Sequence, residues 1–332
     1  MSTINVDIVN PQSGNTVNVN GVQLRGLTGG PGTYNQYIGA SAPASLTSNA
    51  NIFVGFGGGG GITTGSHNTS LGAAACGGLS IGEDNVAVGT GALSNTNAGS
   101  ENIAIGRNSL QQITNPFGEV AIGHLANRFF TTATSGPNTA VGFRALWNNL
   151  TGGQNTVLGA EAGTYITTGS DNTFLGTYSG VGFSGITTGS NNICIGINSG
   201  APTATTSNSI TLGNNSNNVL RCAVTSITSL SDSRDKEEVA ELAVGLEFVK
   251  ELNPVSFVWN DRDESGKHGV KDFGFIAQDL KATQEKYDMA ETLGLVYEEN
   301  PEKLEASYGK LIPILVKAIQ DLTAKVEALE NK

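Results

Sequence analysis

The 332-residue sequence predicts a mainly β protein: a trimeric parallel β-roll or β-solenoid of 17-residue coils, followed by an α+β domain that ends in a coiled-coil helix. Three observations predict it. A pentapeptide unit ending in aliphatic-Gly, with Asn at its head in eight of ten copies, recurs along the chain, charge density jumps near Ser231, and the C-terminal segment carries apolar side chains three and four residues apart.

Residues 1–50 form one region. Apolar and polar residues alternate from Ile4 to Leu24 about a turn at Ser13-Gly14-Asn15, which predicts a β-hairpin. Gly26 to Ser48, with GLTGGPGTY and ASAPAS, reads as loop or linker.

Residues 51–217 hold the repeat. Its closing glycines are Gly55, Gly72, Gly89, Gly106, Gly123, Gly142, Gly159, Gly176, Gly196 and Gly213, spaced by 17 except for single steps of 19 and 20. Asn stands four residues before the glycine in eight of the ten units, with Glu119 and Ser209 as the exceptions. Val, Leu or Ile stands immediately before it every time, and a small residue such as Ala75, Ala92, Ser109 or Ala126 follows three residues later. An aliphatic pair spaced by two marks a short strand, and glycine allows the positive φ that ends it. A second glycine seven residues earlier (Gly65, Gly82, Gly99, Gly152, Gly169, Gly189) predicts another corner, hence two short strands per coil. On this reading the aliphatics stack as an interior column and the asparagines hydrogen-bond along the axis. So thin a coil buries little surface, which predicts neighbouring chains packed about a common axis.

Residues 218–230 connect the roll to a domain of different composition, residues 231–332. The first 230 residues hold 5 basic and 7 acidic side chains, the last 102 hold 13 and 22. Glu237 to Leu252 places Val239, Leu242, Leu246 and Val249 at helical spacing, stopped by Asn253-Pro254. Pro254 to Trp259 alternates as a strand, Asp261 to Lys271 is a charged turn, and Phe273 to Ala277 is apolar. Ile312, Leu315, Ile319, Leu322, Val326 and Leu329 then form a coiled-coil seam.

A net charge of −11 argues against nucleic acid as a partner. No apolar run long enough for a membrane span and no secretory signal is visible, so assembly in the cytoplasm and no membrane insertion are expected. Cys76, Cys194 and Cys222 lack metal-ligand spacing and fit small buried residues; no metal and no cofactor is expected.

TTGSHNTSLG, TTGSDNTFLG and TTGSNNICIG, from Thr63, Thr167 and Thr187 onward, resemble the repeats of phage fibres and trimeric surface adhesins, which are parallel trimeric β-rolls. SDSRDKEE (Ser231 to Glu238), LEFVKELNPVSFVW (Leu246 to Trp259), FGFIAQDL (Phe273 to Leu280) and YGKLIPILVKAIQDL (Tyr308 to Leu322) resemble the intramolecular chaperone and auto-processing domain of phage tail spikes and endosialidases. That resemblance implies a homotrimeric virion fibre or tail spike whose last domain templates trimer folding and then cuts itself off with a serine and lysine dyad. Carried over by position, Ser231 is the nucleophile, Lys236 the base, and Leu230-Ser231 or its immediate neighbour the scissile bond. Implied partners are two further copies of the chain, virion proteins through the N-terminus, and a host-surface glycan or protein.

The residues carry their own case. A serine hydroxyl needs a base, and an amine serves only when neutral. A spacing of five brings Ser231 and Lys236 together only if the intervening turn folds back, with Asp232 and Arg234 orienting it. Asp235-x-x-Glu238 also fits a capping box at a helix start, in which case Ser231 is unremarkable. His268 is a further candidate for the site, a solvated loop histidine being the plainer reading. Two alternatives keep the roll but change its task. A glycan depolymerase needs two close carboxylates; of Asp7, Glu83, Asp84, Glu101, Glu119, Glu161 and Asp171 most stand alone, Glu101 and Glu119 stand near one coil apart, and solvent-facing turns explain them. A bacterial trimeric adhesin should carry an export signal and an anchor. The only enzyme activity expected is self-cleavage, with no external substrate.

Overall fold

In a computed structural model the chain divides into two compact units, residues 1–214 and 215–332. The structure describes residues 15–19, 22–27, 34–39, 47–130, 136–182, 184–217, 219–223, 227, 229, 231–260 and 267–331.

The first unit is a solenoid built on one sheet. Strands β1 (Asn15–Val19) and β2 (Val22–Leu27) pair antiparallel, β2 pairs antiparallel with β3 (Asn35–Ile38), and β3 starts a parallel ladder. The ladder continues through β4 (Ile52–Val54), β5 (Thr69–Leu71), β6 (Val86–Val88), β7 (Ile103–Ile105) and β8 (Val120–Ile122). It ends through β9 (Thr139–Val141), β10 (Thr156–Leu158), β11 (Thr173–Leu175), β12 (Ile193–Ile195) and β13 (Ile210–Leu212). Asn15 therefore opposes Gly26 within a strand pair and is not a turn residue; Ile4 to Gly14 lies outside the described residues. The expected linker over Gly26 to Ser48 contains a strand. Its sequence NQYIG is the same pentapeptide 16 residues ahead of the first counted unit.

Each coil has one strand of three residues and returns through turns, so the expected second strand is absent from the described coils. The two glycines of the repeat do different things. Gly106 sits at φ 127, and a Cβ there would come within 2.5 Å of the Gly123 carbonyl of the next coil. Gly82 needs no positive φ; a Cβ would collide with the carbonyl oxygen of Gly99, so its role is space between coils.

The phase of the strands is opposite to the expectation. Mid-strand residues fill the interior: Phe53, Ser70, Ala87, Ala104, Ala121, Ala140, Val157, Phe174 and Cys194 are all buried. The aliphatics before the glycine point outward, as do the residues two before them; of these twenty side chains none is buried. Leu71 is 51 % exposed and Leu212 56 %. Period-2 alternation fixes which residues share a face, but interior width decides which face goes in, and this interior accepts mainly small side chains. Leu93, Leu110 and Leu146, four residues past their glycines, complete the core from the return path.

The asparagines form the expected ladder. Asn68 donates its backbone N–H (2.8 Å) and side-chain amide (3.1 Å) to Asn51 Oδ1, and its amide also reaches the Gly82 carbonyl (2.8 Å). Asn85, Asn102, Asn155, Asn172 and Asn192 repeat this pattern, so buried amides satisfy backbone groups that one short strand per coil leaves free. Glu119 occupies one rung. Contrary to a solvent-facing turn position, it is fully buried, accepting from Asn138 N–H (3.1 Å) and Asn127 Nδ2 (3.0 Å); burial pushes its carboxyl up to about 8 against the pull of these donors.

The second unit is α+β. Helix α1 (Leu246–Glu251) precedes an antiparallel pair, β14 (Val255–Val258) and β15 (Lys271–Gly274). Helices α2 (Ala277–Lys286) and α3 (Ala290–Leu293), the pair β16 (Val296–Tyr297) with β17 (Glu305–Ala306), and the long helix α4 (Leu311–Glu330) follow. The helix expected from Glu237 begins only at Leu246. Gly245 weakens a helix there, and Asp321 Oδ2 on α4 accepts the Leu246 N–H (3.1 Å), fixing the start by a distant contact. Phe248, Leu280, Leu293, Leu295, Leu311 and Ile314 form the core. Helix α4 turns Leu311, Ile314 and Ala318 toward it, and leaves Ile312, Leu315, Ile319, Leu322, Val326 and Leu329 exposed. Among the described residues no helix is long and apolar enough to cross a membrane, and among them no group of three or more His, Cys, Asp or Glu could hold a metal ion. Cys76 and Cys194 are buried, whereas Cys222 is exposed, against the expectation for it.

Candidate functional site

Ser231 and Lys236 meet. The Lys236 Nζ donates to Ser231 Oγ at 2.6 Å and lies 3.4 Å from the Ser231 carbonyl oxygen. A single 3-10 turn, Ser233–Asp235, folds the chain back to achieve this. Asp232 caps that turn, accepting the Arg234 backbone N–H at 2.9 Å. The Arg234 guanidinium grips the same carboxylate with Nε (3.0 Å) and Nη2 (2.6 Å). This two-pronged contact holds Asp232 below the usual carboxylate range and raises Arg234 in turn. Asp235 and Glu238 cap no helix, because Lys236 leaves the turn in extended conformation.

Ser231, Asp232, Arg234 and Lys236 are all exposed. In this exposed turn the amine donates to the hydroxyl, the reverse of a base; desolvation is what makes a lysine amine neutral. Leu230 lies outside the described residues. His268 is exposed in the turn before β15, and among the described residues no hydrogen bond or ion pair joins it to Ser231 or Lys236.

Two further surface features escaped the sequence reading. The outward aliphatic rows were legible as a stripe but not as an outer one. An aromatic and arginine cluster was legible in HLANRFF and FRALWNN, which place such residues at matching positions of adjacent coils.

A family described as chaperone of endosialidase matches residues 231–289, beginning at the serine just described. No curated protein and no solved structure matches the chain. The solenoid of about ten coils followed by this domain fits a phage tail fibre with a C-terminal chaperone.

Proposed function

We propose that the chain is a homotrimeric virion fibre or tail-spike subunit that recognises the host surface and is matured by cutting itself at Ser231. The observation that carries this reading is the 2.6 Å contact between Lys236 Nζ and Ser231 Oγ at the first residue of the matched stretch. Neutral Lys236 takes the Oγ proton, and Oγ adds to the carbonyl carbon of residue 230. The C–N bond breaks, the proton passes from Lys236 to the departing α-amino group, and an ester remains on Oγ. Water then hydrolyses the ester, giving a new carboxyl and restoring the hydroxyl, so one peptide bond and one water are consumed. Exposed side chains in the single chain support a cut that waits for assembly, since contact with other copies would strip water from the amine.

Trimerisation draws support from two apolar surfaces left exposed among the described residues: the outward aliphatic rows of the solenoid and the heptad seam of α4. Both run along their unit, as a three-fold contact between parallel copies requires. Residues 231–332 then set register and depart, the N-terminal region joins the particle, and the solenoid meets a host glycan or protein. Assembly takes place in the host cytoplasm and the mature protein resides on the virion.

Wild type and Ser231→Ala are compared on a denaturing gel. Fragments of about 230 and 102 residues are expected from wild type alone; an uncut wild type, or a cut variant, defeats the dyad.

A further inference from the structure

One lateral face of the solenoid differs from the rest. Arg144 stacks over the rings of Phe143 (5.0 Å) and Trp147 (4.9 Å), Trp147 lies 5.8 Å from Phe129, and Arg128 covers Phe129 (4.8 Å) while its Nε donates to Gln111 (2.9 Å). His124 extends the row, 5.6 Å from Phe143. Beside it runs a groove of about 530 Å³, lined by Gln112, Phe129, Asn148, Tyr165, Thr167 and Thr187 among others. These residues come from five successive coils, and at about 4.8 Å per step the groove runs about 19 Å, the reach of an oligomer.

Apart from the Arg128 Nε bond to Gln111, the polar groups here are held ready and unspent. Among the described residues neither Arg128 nor Arg144 meets a carboxylate, although the first 230 residues carry a net negative charge. The side-chain amides of Gln112 and Asn148 make no hydrogen bond within the described chain. Arg144 Nε and Trp147 Nε1 are covered and find no acceptor among the described residues, an arrangement that stability alone does not favour. Ring stacking holds the two guanidinium groups in place and leaves their charge for something outside the chain.

We infer that this groove is a binding site for an acidic oligosaccharide, with Phe129 and Tyr165 as apolar platforms, Gln112 and Asn148 as partners for hydroxyls, and Arg128 and Arg144, in the cluster that adjoins the groove through Phe129, as the carboxylate-recognising groups. The inference rests on the host-recognition reading and names its site. A purely apolar peptide leaves the amides and guanidiniums without use, and nucleic acid requires far more positive charge than this unit has. Planar guanidinium groups suit carboxylates, and concave sites combining aromatic walls with a few placed polar groups suit small ligands.

The intact protein is applied to a printed panel of bacterial capsular and lipopolysaccharide glycans, with each uronic-acid member beside its carboxyl-reduced form. Retention of carboxylated members is expected, falling about tenfold on carboxyl reduction and in Arg128→Gln and Arg144→Gln, as for loss of a charge-assisted hydrogen bond. Tyr165→Ala, at an exposed position, is expected to weaken binding with unfolding unchanged. Equal retention of reduced glycans, or binding that survives all three substitutions, overturns the groove and leaves host recognition standing. Retention of no glycan at all sinks the groove and glycan recognition together, while self-cleavage stands on its own gel assay. Dissociation of the assembly by Tyr165→Ala would make the groove an interface between copies and also overturns the inference.

Discussion

Asn85→Ala removes one rung from the middle of the buried ladder. Asn85 Oδ1 accepts the backbone N–H (3.0 Å) and side-chain amide (2.9 Å) of Asn102, and its own amide donates to Asn68 Oδ1 (2.8 Å), the Glu83 carbonyl (3.0 Å) and the Gly99 carbonyl (2.8 Å). Some of those groups keep another partner: Asn102 Nδ2 still reaches Pro116 O, and Asn68 Oδ1 still accepts the Asn85 N–H. The Asn102 N–H and the Gly99 carbonyl do not. Two buried backbone groups left bare at about 1 to 3 kcal/mol each give a loss of about 2 to 6 kcal/mol per chain. Asn191→Ala is the control: Asn191 bonds Asn208 (2.8 Å) on the exposed side of the same repeat and sits at φ 55, so losing that bond and placing Ala in the left-handed region together should cost about 1 to 2 kcal/mol. Denaturant unfolding of both variants on the uncut Ser231→Ala background measures the difference. If Asn85→Ala costs no more than Asn191→Ala, the ladder is not what holds the coils in register.

Glu119 predicts a pH dependence. Its carboxyl stands at about 8 when folded against an ordinary 4.5, so between these values the folded chain binds a proton that the unfolded chain has released. Stability is therefore intact below about pH 4.5, declines as pH rises, and is reduced most above about pH 8, by at most about 5 kcal/mol; Glu119→Gln should flatten the difference between unfolding midpoints at pH 5 and pH 9. Lys236→Arg should assemble as wild type does yet remain uncut on a denaturing gel, because a guanidinium does not give up its proton at neutral pH. Leu175→Asp, on the outward row, should leave circular dichroism unchanged while native mass spectrometry finds fewer trimers; Ile319→Asp on α4 should do the same before any cut.

The repeat was the most legible part of the sequence, since a 17-residue glycine period has one geometrical consequence. The asparagine ladder followed from it. The inside and outside of the strands did not, because alternation is symmetric; Ser70, Ala87, Ala104 and Ala121 in the middle of their strands were the available sign of a narrow interior. NQYIG at residues 35–39 escaped notice because its step of 16 and its glycine- and proline-rich surroundings masked the phase. In the second unit local spacing placed α4 but misplaced α1, whose start depends on Asp321, 75 residues away in sequence. The meeting of Ser231 and Lys236 was legible only as a condition, that the chain fold back, and the 3-10 turn capped by Asp232 meets it.

All the assigned roles require the outward aliphatic rows and the exposed seam of α4 to be covered by other copies. Light scattering of the purified, uncut Ser231→Ala protein measures this directly. A mass three times 34.2 kDa is the expected result, and a stable single chain with those rows in water would contradict the account.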